Sequence, residues 1–335
     1  MFMKNALRFF NSMNSADGRR FNLLSIVTAV WLSTVPTAHA ANRVFAWGDL
    51  QYDMAVGSTG PRGGGVVGIA AGSFHSLALR SDGSVLAWGD NRFGQTSIPA
   101  QLKRKSPVAI AAGNVHNLAL LENGTVVAWG PAAGQQGDHG QCAVPVGLKH
   151  VVAIAAGAIH SLALKRDGTV VAWGYDAYGQ SEVPPGLNDV VGIAGGTYHS
   201  LALKNDGTVV VWGNNTMGQT DVPEGLEDVV AIAACGFHNL ALRADGTVVF
   251  WGSYGPSRGG VPDGLDNVVA IATGDYHSLA LRSDGTMFAW GYNWSGQCDV
   301  PPGLAGMAAI AARGSHSMVL VREVSPVLSH RKHSR

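Results

Sequence analysis

A histidine followed by serine or asparagine recurs seven times, and of all the patterns in this chain it is the one most able to carry chemistry. Histidine is a general base near neutral pH, and serine becomes a nucleophile when a base is in reach. Neighbouring residues of a β-strand point to opposite sides of the sheet, so a histidine cannot activate the serine beside it. Phosphate-loop, HExxH and EF-hand motifs are absent from the sequence. The sequence therefore predicts no catalytic residue and no enzyme. The histidines are His75, His116, His160, His199, His238, His277 and His316.

These histidines do not predict a metal centre. Zinc ligands must converge within about 2 Å of one ion, whereas equivalent residues of a repeat are spread around its axis. We expect each histidine to fix a turn by hydrogen bonding to the backbone, and we expect no metal or other cofactor. Cys142, Cys235 and Cys298 form no CxxC motif, and Cys142 and Cys298 occupy the same position in non-adjacent units. The sequence predicts free thiols.

The elements that position these residues come from a repeat of 39–44 residues, marked by Trp-Gly. One unit reads VVAIAAG-xx-HSLAL-xxDG-TVVAWG-xNxxGQ-xxVP-xGL. Tryptophans that recur at one position of a repeat are typical of core anchors. They are Trp47, Trp88, Trp129, Trp173, Trp212, Trp251 and Trp290.

Each unit predicts four short strands. The apolar run VVAIAAG and the alternating HSLAL are the first two strands. Asp167-Gly168 between LALKR and TVVAWG is a strong hairpin signal and leads into the third strand. A short fourth strand is expected after the GQ loop, stopped by Pro184 or its equivalents. Four strands in about 40 residues form one propeller blade, so the fold class is all-β, a seven-bladed β-propeller.

The two ends of the repeat region complement each other. The last unit, MAAIAARGSHSMVLV, contains the first two strands and stops, while RVFAWG near the start supplies a third strand alone. The sequence therefore predicts a propeller over residues 41–322, closed by pairing the N-terminal strand with the C-terminal strands.

Residues 1–40 have the pattern of a signal peptide. Arg19-Arg20 precede an apolar run from Leu23 to Val35, which ends in Ala38-His39-Ala40. A basic flank, a short apolar core and an A-x-A exit predict export to the periplasm or the medium, with no membrane anchor in the mature chain. Residues 323–335 are expected to form a flexible basic tail.

Charge argues against nucleic acid as a partner. With residues 1–40 and 322–335 set aside, 15 Lys and Arg remain against 21 Asp and Glu. A mildly acidic body has the wrong sign for binding a phosphate backbone.

The unit G-xx-HSLAL-xxDG-TVVAWG-xNxxGQ resembles the repeat of the regulator of chromosome condensation family over residues 43–322. Within that superfamily, the 39-residue period, the GQxxVP ending, the leader and an opening WG strand are most similar to exported bacterial propellers that inhibit beta-lactamases. Eukaryotic members act on nuclear GTPase and chromatin partners, and an exported acidic body does not favour guanine-nucleotide exchange. The loops WGDLQYDMAVGSTGPRGGG and WGSYGPSRGG depart from the family pattern because they lack GQ.

Positions where the repeats differ carry the aromatic residues. All seven tyrosines, including Tyr52, lie in the two connections that emerge at one end of each blade, and the opposite end has none. Aromatic residues dominate interaction hot spots, so this end is the predicted binding surface. The resemblance to the inhibitors extends most directly to Phe74, Tyr198, Phe237 and Tyr276, directly before a repeat histidine, and fails at Val115, Ile159 and Ser315. The candidate partner-binding residues are Phe74, Phe93, Tyr175, Tyr178, Tyr198, Met217, Phe237, Tyr254, Tyr276, Tyr292 and Trp294.

Two functions are compatible with this surface. In the first, the chain is a monomeric, exported protein-binding module whose partner, by the resemblance, is an exported serine hydrolase of the beta-lactamase or penicillin-binding class. In the second, it is a lectin-like propeller whose aromatic residues stack on sugar rings. Aromatic residues that occur in some blades and not in others favour one protein partner over several equivalent sugar sites.

Overall fold

Seven three-stranded antiparallel sheets contain all the strands in the described part of the chain. The structure is a computed structural model and describes residues 42–49, 65–103, 105–252 and 260–322. The sheets follow one another along the sequence as blades 1 to 7, and each blade has strands A, B and C. The signal peptide and tail predicted for residues 1–40 and 323–335 lie outside the described residues.

The A strands are β2 (Val66–Ala71), β5 (Pro107–Ala112), β8 (Val151–Ala156), β11 (Val190–Gly195), β14 (Val229–Cys235), β17 (Val268–Thr273) and β20 (Met307–Arg313). The B strands are β3 (His75–Arg80), β6 (Asn117–Leu121), β9 (His160–Lys165), β12 (His199–Lys204), β15 (His238–Arg243), β18 (His277–Arg282) and β21 (His316–Val321). The C strands are β4 (Val85–Gly89), β7 (Val126–Trp129), β10 (Val170–Gly174), β13 (Val209–Gly213), β16 (Val248–Gly252), β19 (Met287–Gly291) and, in blade 7, β1 (Arg43–Gly48).

The Asp-Gly dipeptide turns strand B into strand C, as its sequence predicts. In blade 3, Gly168 has a φ of 79°, a left-handed value that glycine adopts without strain. Asp167 Oδ1 accepts hydrogen bonds from the backbone N–H of Thr169 at 3.1 Å and from its hydroxyl at 2.6 Å. The side chain therefore closes the turn that the backbone begins.

The hydrophobic core lies between neighbouring blades. Leu162 and Leu164 of blade 3 pack in one cluster with Trp212 of blade 4. Ala163 and Trp173 of blade 3 pack instead with blade 2. Large side chains on one face of each sheet and smaller ones on the other make wedge-like layers that stack around an axis.

The predicted fourth strand is not formed in the described residues. After strand C the chain makes tight turns, such as that closed by Glu182 N–H on the Gly179 carbonyl at 3.1 Å. The Leu187 N–H closes a second turn on the Pro184 carbonyl at 3.2 Å, so the chain continues in turns and does not pair with strand C. The segment still contributes to the core, because Val183 and Leu187 pack against the cluster between blades 3 and 4. The described residues contain one short 3-10 helix (Ala100–Lys103) and no helix that is long and apolar enough to cross a membrane.

The predicted closure of the ring is confirmed. Strand β1 pairs antiparallel with β21 from Arg43↔Val321 to Gly48↔His316, and β21 pairs with β20. Val44 and Trp47 of β1 are buried. The first strand of the repeat region thus completes the last blade.

A chain that begins at Asp49 should melt at a markedly lower temperature than one that begins at Asn42. It loses the six-residue pairing of β1. The loss of a buried tryptophan alone costs roughly 3–5 kcal/mol, which corresponds to about 5 °C or more in a domain of this size. Thermal unfolding followed by circular dichroism measures the difference. Equal melting temperatures would contradict closure by this strand.

Candidate functional site on one face of the propeller

The two ends of each blade carry different connections. In blade 3 the pairing His160↔Gly174 brings the start of strand B beside the end of strand C. The pairing Val151↔Lys165 brings the start of strand A beside the end of strand B. The A–B turns and the loops after strand C therefore emerge together, at an end that we call the loop face. The Asp-Gly turns lie at the other end, the turn face.

Each repeat histidine hydrogen-bonds to the next blade, and the seven bonds form a closed ring, the histidine belt. His199 Nε2 lies 2.7 Å from Asn239 Oδ1, and His316 Nε2 lies 3.1 Å from Ser76 Oγ, which joins blade 7 to blade 1. The other five bonds are 2.6–3.2 Å long and join His75 to Asn117, His116 to Ser161, His160 to Ser200, His238 to Ser278 and His277 to Ser317. The Nε2 partner is a side chain of the next blade, not the backbone acceptor that the sequence analysis expects.

The serine or asparagine of the belt shares its acceptor with the repeat tryptophan. Ser200 Oγ donates to the main-chain carbonyl of Gln180 at 2.8 Å, and Trp212 Nε1 donates to the same carbonyl at 3.0 Å. Gln180 Oε1 in turn accepts the backbone N–H of Tyr178 at 3.0 Å. The glutamine of the GQ pair thus connects its loop to the next blade through hydrogen bonds. The sequence alone did not predict this role. The same double contact recurs at the carbonyls of Gln95, Gln141, Gln219 and Gln297.

Burial keeps the belt histidines neutral, and the hydrogen bonding determines which ring nitrogen carries the proton. Because Ser200 gives its hydrogen to Gln180, His160 Nε2 must carry the proton and donate to Ser200. Burial is the main cause that lowers the histidine pKa values, to about 3 for His160 and His277 and to about 4 for His75, His199, His238 and His316. The pKa of His116 is lowered well below its usual value by the same cause.

The belt brings serine and histidine together but does not make a nucleophile. A histidine cannot reach the serine beside it on the same strand, but such pairs form between repeats, as at His160 and Ser200, 2.9 Å apart. Both side chains are fully buried, and the serine hydrogen already points to a carbonyl. Among the described residues there is also no group of three or more His, Cys, Asp or Glu that could hold a metal ion.

A glycine lies beneath the belt histidine in five blades, three residues earlier. A Cβ on Gly157 would overlap the ring of His160, and the same holds at Gly72, Gly113, Gly196 and Gly274. Blades 5 and 7 have Cys235 and Arg313 in this place, each followed by a glycine with positive φ, Gly236 at 53° and Gly314 at 55°. The shift of the glycine by one residue lets these two turns carry a side chain at the propeller axis.

Four of the predicted binding residues form one aromatic cluster, which we call the tyrosine cluster. Tyr175, Tyr178 and Tyr198 lie within 5.1–6.4 Å of one another by ring centroids, and Phe237 lies 6.2 Å from Tyr198. His139 of the preceding loop meets Tyr175 edge-on at 5.2 Å. The cluster therefore joins side chains of blades 2 to 5 into one patch, held by ring contacts of favourable geometry.

A second patch, the tryptophan cluster, lies on blade 6. Tyr292 contacts Tyr276 at 5.7 Å and Trp294 at 4.6 Å. Trp294 is 85% exposed, against 44% for Tyr276 and 48% for Tyr178. An indole with so much exposed surface gains little from burial in the isolated chain.

The remaining predicted residues lie apart from these clusters. Phe74 is 38% exposed on blade 1. Phe93 packs over Gly137 of the neighbouring loop, where a Cβ would come within 3.2 Å of its ring, so it supports that loop. Met217 is half-buried and donates its backbone N–H to Gln219 Oε1 at 2.7 Å. Tyr254 and Tyr52 lie outside the described residues.

In five blades the residue before the belt histidine accepts a loop-face hydrogen bond through its main-chain carbonyl. The Tyr198 carbonyl accepts the N–H of Asn214 at 2.8 Å, and the Ile159 carbonyl accepts that of Tyr175 at 3.0 Å. The same bond occurs at Phe74, Tyr276 and Ser315. The hydrogen bond that closes the loop at these five positions therefore uses the main chain and not the side chain.

Charge is distributed unevenly between the two faces. In the described part of the loop face, Arg92 and Arg313 are the only Lys or Arg residues, and Arg92 is paired with Asp90 at 3.0 Å. Acidic side chains on the same face are Asp49, Asp138, Asp176 and Asp275. The surface around the aromatic clusters is therefore mildly negative.

The three cysteines are free thiols, as predicted. Burial raises the pKa of Cys142 to about 12 and that of Cys298 to about 11. Such thiols are weak nucleophiles near neutral pH.

The family model described as Regulator of chromosome condensation (RCC1) repeat matches residues 66–95, 108–141, 151–180, 190–219 and 268–297. Each match ends at the glutamine that holds the next blade. Blades 5 and 7, which the model does not match, carry Cys235 and Arg313 in place of the glycine and precede the two loops that lack GQ. No curated protein sequence matches the chain.

Several solved structures share the fold. Prp20p from Saccharomyces cerevisiae is 22% identical with a TM-score of 0.71, over 86% of this chain and 93% of that one. Human WBSCR16 is 20% identical with a TM-score of 0.66, and the match covers 85% of this chain and 100% of that one. The ectodomain of the receptor kinase CR4 from Physcomitrella patens is 23% identical with a TM-score of 0.59, over 74% and 69%.

The belt predicts that the chain loses stability as the pH falls below about 6.5. Folded-state histidine pKa values of about 3–4 lie below the unfolded value of 6.5, so the unfolded chain binds more protons in between. The contribution of the neutral histidines to the free energy of unfolding is fully present above pH 6.5. As the pH approaches 4, the free energy of unfolding falls by up to about 1.4 kcal/mol per pH unit for each histidine. Urea unfolding measured from pH 7.5 to 4.5 tests this.

The control for this measurement is the exposed His139, which lies outside the belt. His139→Gln should leave the slope of stability against pH unchanged, whereas His199→Gln should reduce it. A stability that stays constant between pH 7 and pH 5 would contradict a neutral, buried belt.

Proposed function

Because this chain belongs to the family of proteins built from RCC1 repeats, we propose that it is a non-enzymatic module that binds a protein partner through its loop face. The observation that carries the proposal is the pair of aromatic clusters on that face, with Tyr178, Tyr276 and Trp294 between 44% and 85% exposed. Tyrosine and tryptophan bury a large area at little entropic cost, and they dominate the energetics of interfaces.

The structural relatives support a protein as the class of ligand. The structure of Prp20p was reported together with its binding to Gsp1p and histones, and a second structure holds it in complex with Kap60. An acidic loop face with unequal blades also fits one basic or amphipathic protein surface better than a set of equal sugar sites.

The finer proposal is that the chain is exported and inhibits a serine beta-lactamase or a related penicillin-binding enzyme. It rests on the leader pattern of residues 1–40 and on the resemblance of the repeat to exported inhibitors. In this proposal the aromatic clusters cover the rim of the enzyme active site and exclude substrate. The partner then lies in the periplasm or in the medium.

The direct test is a panel of purified serine beta-lactamases and penicillin-binding enzymes, titrated with the chain beginning at Asn42. We expect saturable inhibition of at least one enzyme with one-to-one stoichiometry, measured by substrate hydrolysis and by calorimetry. An absence of inhibition across the panel would remove the inhibitor proposal. Retention of the chain on glycan columns, with several equivalent binding sites, would instead favour a sugar over a protein as the ligand.

Truncation of an exposed aromatic side chain should weaken that complex. Tyr178→Ala, Tyr276→Ala and Trp294→Ala are each expected to lower the affinity by about 30-fold or more if they are interface hot spots. The matched control is Val146→Ala, a fully exposed apolar residue on the turn face, which should bind like the parent chain. Equal losses in all four variants would mean that the loop face is not the binding surface.

A further inference from the structure

Arg313 spans the axis of the propeller beneath the loop face. It ends the A strand of blade 7, yet its Nη1 donates to the Ala156 carbonyl at 2.9 Å and to the Ala112 carbonyl at 3.4 Å, in blades 3 and 2. Its Nε donates to Asn114 Oδ1 at 3.4 Å. The side chain is only 5% exposed. A positive charge is therefore held at the centre of the ring, at a position that five other blades reserve for glycine.

The acceptors around this guanidinium are neutral. Within the described ranges no carboxylate oxygen lies within 4.0 Å of it. Its Nη2 is buried and has no hydrogen-bond partner among the same residues. Carbonyl oxygens replace only part of the hydration that a buried cation loses, so the site favours a counter-charge.

Arg313 also forms part of the wall of a cavity on the axis. The cavity has a volume of about 60 Å³, and its other walls are mainly alanine side chains of the seven A strands, such as Ala70, Ala111 and Ala155. One water molecule needs roughly 10–15 Å³ on this scale. The space therefore suits one small anion with or without a water molecule, and it excludes sugars and nucleotides.

We propose that the axial cavity binds one small monovalent anion, with Arg313 as the residue that provides the positive charge. Chloride and a carboxylate group share this chemistry. The anion comes either from free halide or from a carboxylate that a bound molecule inserts along the axis. The proposal concerns the isolated chain and stands independently of the protein-binding function.

Asp275 limits the affinity of this site. Its Oδ1 accepts a hydrogen bond from Cys235 Sγ at 3.0 Å in the neighbouring blade. Burial is the main cause that raises the pKa of Cys235, but Asp275 raises it further and Arg313 lowers it, so both charges act on the same small volume. A carboxylate repels an anion, and its removal should therefore tighten binding whereas removal of Arg313 abolishes it.

The experiment measures the melting temperature of the full chain while sodium gluconate is replaced by sodium chloride at constant ionic strength. Binding to the folded state raises the melting temperature as chloride exceeds its dissociation constant. We expect this rise in the parent chain, its loss in Arg313→Gly, and a rise at lower chloride in Asp275→Asn. Formate and acetate, tested in the same way, report whether a carboxylate fills the site as chloride does.

Two controls separate the site from general effects of salt and charge. Cys235→Gly restores the repeat glycine in blade 5, as Arg313→Gly does in blade 7, and it should keep the chloride response. Arg92→Gln removes a positive charge from the same face and should also keep this response. If Arg313→Gly does not fold, Arg313→Gln replaces it, with the line width of the chloride NMR signal as a direct measure of binding. An equal response to chloride in the parent and Arg313 variants, or none in the parent, would overturn the proposal.

Discussion

The rest of the structure depends on the hydrogen-bond chain that crosses the boundary between blades at the loop face. At five of the seven boundaries a histidine of one blade donates to a serine or asparagine of the next, and that residue donates to a glutamine carbonyl of the first blade. A tryptophan donates to the same carbonyl. Because the side chains that form these hydrogen bonds are buried, a missing partner would leave a polar atom unsatisfied in the core. The belt thus imposes one spacing and one orientation on adjacent sheets, while the leucine and tryptophan packing supplies most of the favourable burial.

The closed ring and the belt constrain each other. The belt has no first or last member only because β1 and β21 share a blade, which places His316 beside Ser76 of blade 1. An open array of the same repeats would leave one polar partner unsatisfied at each end. Closure is therefore a condition for satisfying the buried groups, and it adds to the area that the terminal strands bury.

Much of this fold follows from the sequence because its signals are local and repeated. The Asp-Gly turns, the alternation in HSLAL and the isolated RVFAWG strand predict seven blades and their closure, and the structure confirms both. The placement of Tyr178 and Trp294 on one face follows from strand order alone, while their role in binding stays a prediction. The prediction of a fourth strand was wrong because backbone N–H groups after the GQ pair close tight turns, as that of Glu182 does on Gly179, and are not available to a strand.

The features that the sequence did not reveal depend on contacts about 40 residues or more apart. The partner of His160 is Ser200 and not the adjacent Ser161, which only the angle between two sheets determines. Arg313 reaches blades 2 and 3, and the single hint in the sequence is that it replaces a glycine of the repeat. Unlike residues at an otherwise constant position are a signal of local function when the repeats are aligned with one another.

The backbone bonds of the residue before the belt histidine have a consequence for how such a protein acquires new ligands. Ile159, Tyr198 and Ser315 differ in size and polarity, yet each carbonyl accepts the same loop N–H. Substitution at the five places where this bond forms changes the side chain that the ring displays and keeps the main-chain bond intact. The ligand-binding surface can therefore change by substitution in one blade at a time, without rearrangement of the other blades.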